Sequence, residues 1–117
     1  MNEIISSFSP IIQDWHVVQE RRDSKISELK IRFVFIDQSI LEYTEIKVHD
    51  LNKRKYAFQW MAANHDLLIR WDNALHHPHI ATFPHHKHTG NEKTITESSD
   101  ITLLEVLTEI RQLLSNS

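Results

Sequence analysis

A chain of 117 residues holds enough for one domain, and its 40% hydrophobic and 25% charged residues, with three Trp, five Phe and two Tyr, exclude a disordered polymer. The absence of cysteine excludes a disulfide framework, a thiolate nucleophile and a thiolate zinc site, so any metal would rest on His, Asp or Glu. The net charge of −3 belongs to the tail, where five acids face two bases from Gly90 onward while residues 1 to 89 are neutral, a balance that argues against strong nonspecific nucleic-acid affinity.

In chain order, the start lacks a basic n-region and no apolar run approaches a membrane span, which predicts a cytoplasmic protein with no membrane association. A short N-terminal helix precedes a first strand over Ile11 to Arg22, closed by Asp23 and Ser24. Residues 26 to 36 alternate, with Leu29, Ile31, Phe33 and Phe35 on one face and Glu28, Lys30 and Arg32 on the other. Val34 and Ile36 then break the polarity, which predicts a strand half buried at first and fully buried at its end. After a turn at Asp37 to Ser39, Ile40, Tyr43, Thr44, Ile46 and Val48 suit a third strand. Beyond the turn at Asp50 to Lys53, the period-two sets Tyr56, Phe58, Trp60 and Leu67, Ile69, Trp71 flank Asn64-His-Asp66 and predict a second hairpin. Near the end, Thr102 with Glu105 fits a capping box. Ile101 and Val106 fit a hydrophobic staple, and Leu103, Leu107, Ile110 and Leu114 form a helical stripe. The expected fold is α+β: an antiparallel meander of about five strands with one face covered by the C-terminal helix. A single domain divides into a sheet body over about 11–73, a His-rich loop over 74–90, a polar connector over 91–100 and a helix over about 102–114.

Chemical density concentrates in one place, because six of the nine histidines fall between residues 76 and 88. Histidine can serve as acid, base, cation or metal ligand near neutral pH. Pro78 and Pro84 keep this run out of an interior strand or helix, so it reads as a shaped loop. In extended geometry His77 and His79 share a side opposite His76, and His86 and His88 share a side opposite His85. Just upstream, Arg70 and Asp72 bracket Trp71 and point together, either as a structural ion pair or with Asp72 orienting a histidine while Arg70 holds a phosphate. Three readings remain open. Neutral and protonated imidazoles flanking a phosphodiester can deprotonate a 2′-hydroxyl and protonate the leaving oxygen, with Arg70 or Lys87 neutralising charge. The same pairs could chelate a transition metal, although their spacing matches no established zinc signature. A surface loop with incidental histidines is the third.

The segments Tyr56-x-Phe58-x-Trp60, Leu68-Ile-Arg-Trp-Asp-Asn-Ala74, His76-His77-Pro78 and Thr82-Phe-Pro-His-His-Lys-His88 together resemble the signature of the TumE-like family of small toxins from prokaryotic type II toxin-antitoxin modules, over roughly residues 11 to 114. In that pattern a proline often precedes the paired histidines, where this chain has Leu75; the departure loosens the loop slightly but removes no candidate group. The resemblance implies a cognate antitoxin, often with a helix-turn-helix DNA-binding domain, and a toxin acting on RNA; self-association into a homodimer is compatible with it. The leading expectation is a ribonuclease that needs no metal or other cofactor. His76, His77, His85, His86 and Asp72 are its candidate catalytic residues, His77 and His86 foremost. Arg70, Lys87 and His88 are candidates for phosphate binding, and Tyr56 and Trp60 either stack bases or, as is commoner for an aromatic stripe at strand spacing, fill the core. The rival expectations are a metal-dependent nuclease toxin and a noncatalytic module that uses the His-rich loop to bind a partner or a metal.

Overall fold

A computed structural model describes residues 1–116. Seven strands lie in sequence order in one antiparallel sheet: β1 (Ile12–Arg22), β2 (Ile26–Phe35), β3 (Ile40–Val48), β4 (Lys53–Met61), β5 (Leu67–Asp72), β6 (His86–Thr89) and β7 (Ile95–Glu97). Helix α1 (Asn2–Ser7) precedes the sheet and α2 (Leu103–Ser115) follows it. The antiparallel meander under a C-terminal helix is as the patterning predicts, but there are two more strands than expected. Both fall in segments read as loop and connector. Hydrophobic periodicity could not reveal β6, because His86, Lys87 and His88 are polar on both faces, and β7 has three residues only.

One sheet face is apolar. Ile31, Phe33 and Phe35 of β2, Leu41 and Tyr43 of β3, Tyr56, Phe58 and Trp60 of β4, and Ile69 and Trp71 of β5 form a continuous buried layer. Helix α2 closes it with Leu103, Val106, Leu107 and Ile110, while Ile5, Phe8 and Ile11 fill in from the N-terminal segment. Thr102 caps α2 through the full capping box with Glu105, and Ile101 and Val106 are both buried, as a staple requires. Trp60 inserts at the edge of this layer and donates its indole N–H to Ser39 Oγ at 3.0 Å.

Two local expectations change. The end of β2 does not become fully buried: Val34 lies on the open face, half-buried, and Ile36 leaves the strand 57% exposed. Strand β1 is long but forms the sheet edge, out of reach of the helix, so Trp15, Val17 and Val18 are exposed. Two register shifts interrupt its pairing with β2, between Ile12 and Asp14 and between Val17 and Gln19. Among the described residues, no helix is long and apolar enough to cross a membrane.

Candidate functional site

Strands β5 and β6 assemble the site. Their register places Asp72 opposite His86 and Arg70 opposite His88, and strand alternation sends all four side chains to the face away from α2. Tracing the register across the sheet gives two polar rows. One runs Arg32, Glu42, Gln59, Arg70, His88, and the other Lys30, Thr44, Ala57, Asp72, His86.

Asp72 is the organising group. It is 4% exposed and accepts hydrogen bonds from Arg70 Nε and from the Ala74 backbone N–H, each at 2.9 Å. Its Oδ1 lies 2.9 Å from Nε2 of His86, and its Oδ2 lies 3.7 Å from Nε2 of His88. Arg70 is held from its other side, donating from Nη1 to Gln59 Oε1 at 2.6 Å. A carboxylate this deep is tolerable only with such compensation.

The two buried histidines are anchored alike. Nδ1 of His86 lies 2.9 Å from the carbonyl of Pro84, and Nδ1 of His88 lies 2.9 Å from the carbonyl of Glu92. A carbonyl only accepts, so each Nδ1 carries the proton, and in a neutral ring Nε2 is left as a lone pair. That lone pair faces the Asp72 carboxylate. The contact becomes favourable when a proton or a cation bridges the two atoms.

His77 completes the cluster from the loop between β5 and β6. Its ring centroid is 4.8 Å from that of His86 and 5.8 Å from that of His88, and one nitrogen of each of the three rings lies within 4.8 Å of the others. Unlike the other two, it is only half-buried. Partial burial, and then the neighbouring imidazoles of His86, His88, His79 and His76, hold its pKa below the ordinary histidine value. His76 and His79 stand beside it edge-on, with centroids at 6.4 and 6.0 Å. The cluster opens into a cavity of about 330 Å³ that Ala74, His76 and Glu92 also line. A wider depression of about 660 Å³ beside β7 holds only His79 and Glu97 as titratable groups.

Several residues singled out in the sequence lie elsewhere. Lys87 sits between His86 and His88 and therefore points to the helix face, where it pairs with Glu109 at 3.3 Å. His85 also leaves the cluster: its Nδ1 takes the Tyr56 hydroxyl at 2.8 Å, and the two rings stack. Tyr56 and Trp60, 3% and 6% exposed, belong to the core, and neither presents a ring face on which a base could stack. Burial pushes the Tyr56 phenol up to about 12, which keeps it neutral beside His85. Arg54, near the start of β4, is taken up by Glu45 and Asp100, both at 2.7 Å.

Three supporting residues escaped sequence reasoning. Gln59 steadies Arg70, and its place on the open face follows from the period of β4. Asn73 fastens the root of the loop to β4, accepting from the Tyr56 N–H and donating to the Arg54 carbonyl. Glu92 reaches the cavity only through the β6–β7 turn, where Gly90 adopts φ +77° and its N–H bonds the Leu68 carbonyl. The sequence signal for that turn is the dipeptide Gly90-Asn91, with the single glycine of the chain.

No curated protein and no solved structure matches this chain. A family model described as Toxin TumE matches residues 1–114, a span that takes in every strand, both polar rows and the whole histidine cluster. The chain thus belongs to the TumE toxin family.

Proposed function

We propose that this toxin acts on RNA, breaking phosphodiester bonds in the cavity above Asp72, and that a cognate antitoxin holds it inactive. The observation that carries the reading is the convergence of three imidazoles from two separate segments on one buried carboxylate, with an arginine bound to that same carboxylate. Phosphoryl transfer needs positive charge where the transition state becomes more negative, in a place shielded from bulk water. Arg70 supplies it at the edge of the imidazole cluster. The polar rows lead from the cavity across the open face through Arg70, Gln59 and Glu42 to Arg32 and Lys30, a mixed-charge surface on which the two outer cations could contact a phosphate backbone.

The geometry redistributes the expected roles. A free acid–base pair of His77 and His86 requires two rings with a nitrogen turned towards the scissile bond, but both nitrogens of His86 are engaged and the ring is 2% exposed. The three rings work as one centre, in which His77 is the member on the substrate side and Asp72, His86 and His88 set the charge beneath it. Lys87 and His85 take no part.

The deciding experiment expresses the chain with and without its antitoxin and follows growth together with total RNA integrity. Growth arrest with RNA cleavage, both lost in His77→Ala, is the expected result. Arrest with intact RNA would overturn the nuclease reading, and RNA bound without turnover would leave the cluster as a recognition surface.

A further inference from the structure

We infer that His77, His86 and His88 form a binding site for one divalent transition-metal ion, with the Asp72 carboxylate at its base. Three geometric facts point there. One nitrogen of each ring already lies within 4.8 Å of the other two. Each buried ring is held by an Nδ1–H bond to a backbone carbonyl, the arrangement that fixes the tautomer of a metal-ligating histidine and turns Nε2 to the ion. Both Nε2 atoms then face carboxylate oxygens, at 2.9 and 3.7 Å, and a cation placed there turns an unfavourable lone-pair contact into coordination.

Distances are close to those of this occupant. Ligand atoms around a tetrahedral ion at roughly 2.0–2.1 Å stand about 3.3 Å apart, between the two Asp72 contacts of 2.9 and 3.7 Å, and the three imidazole nitrogens, within 4.8 Å of one another, must draw together to ligate. His77 is the ring that can move, since it sits outside the strands, half-buried at the rim. Imidazole donors without thiolates select zinc, copper, nickel, iron or cobalt over magnesium or calcium, which take oxygen ligands. Asp72 stays tied to Arg70 and Ala74, which makes it a rigid base for the site. The binding site stands on its own geometry; its use in cleavage rests on the reading above.

The test uses the untagged full chain, stripped of metal by a chelator and titrated with Co²⁺ for its visible bands and with Zn²⁺ by calorimetry for stoichiometry. One ion per chain is expected. Affinity should fall at least tenfold in His77→Ala and in His88→Gln, and stay within about twofold in His76→Ala and His79→Ala. His77→Ala alters a rim residue and needs no repacking; the melting curve of the metal-free His88→Gln shows whether that chain is folded. Absence of saturable binding, or equal binding by wild type and His77→Ala, overturns the site. Saturable binding with RNA left intact upholds the site while removing the nuclease reading, and RNA cleavage that survives chelation does the opposite for the ion's part in catalysis.

Discussion

Asp72 shows how much one side chain can decide. Its carboxylate is shared by Arg70, His86 and the Ala74 amide, so removing its charge leaves the half-buried Arg70 guanidinium without its carboxylate and loosens the anchor of the buried His86. Asp72→Asn keeps the shape, yet it should lower stability by about 3–5 kcal/mol, the usual cost of breaking a buried pair, and abolish toxicity. Denaturant unfolding beside a growth assay checks both; a stable, non-toxic variant would show that the carboxylate serves chemistry alone. At the β1–β2 turn, Asp23 accepts the Ile26 and Lys25 amides at 2.8 and 2.9 Å, and these bonds, that of Ile26 first, hold its pKa below the ordinary 3.8. The folded state binds the ionised form preferentially, so this contribution is fully present above the ordinary value and is lost as pH falls through the lowered one. The stability difference between wild type and Asp23→Ala should therefore be constant above pH 3.8 and shrink below it. A difference that does not change with pH would show that the turn is held by other bonds.

At the scale of elements, α2 and the β5–β6 pair divide the work between stability and chemistry. Val106, Leu107 and Ile110 are fully buried under the sheet, and each such side chain contributes about 1.5–3 kcal/mol by leaving water. Leu107→Ala adds a cavity to that loss and should cost about 2–5 kcal/mol, whereas Thr102→Ala, which removes only the cap, should cost about 1 kcal/mol. Chemical denaturation of the two variants checks the ranking; equal effects would mean that the helix is held by its end rather than its face. Strand β6 has the opposite character. It buries no large apolar side chain, and its worth lies in register: Asp72 meets His86 and Arg70 meets His88 because β5 and β6 pair as they do. A slip of one residue would send Lys87 into the cavity and both histidines beneath the helix.

Taken whole, the molecule is a sheet with two unlike faces. The covered face is apolar and closed by α2, and the open face carries the polar rows that end in the histidine cavity. If RNA lies along those rows, Arg32→Ala should weaken binding broadly across sequences and flatten the salt dependence, because a phosphate contact carries no base information. Affinity measured for both proteins at two salt concentrations decides it. Unchanged affinity and slope would confine the RNA contact to the cavity itself.

The amino-acid sequence by itself determined the antiparallel meander up to β5, the capped terminal helix and the region of the chemistry, because each rests on local periodicity or local capping. Leu29 to Phe35 alternates, Thr102 and Glu105 cap, and Arg70 and Asp72 share a face whatever surrounds them. Histidine carries no such period. Only the tertiary structure decided that His86 and His88 stand on a strand beside Asp72 and that His77 joins them from a loop, whereas the turning of His85 away from His86 and His88 follows from extended alternation alone. Those choices follow from pairing between strands that are separated by a proline-broken loop. Tyr56 and Trp60 are core by the alternation of β4 itself, the commoner outcome for an aromatic stripe at strand spacing. Membership of the site was therefore set by cross-strand register, a relation between distant segments that no reading of either segment alone contains.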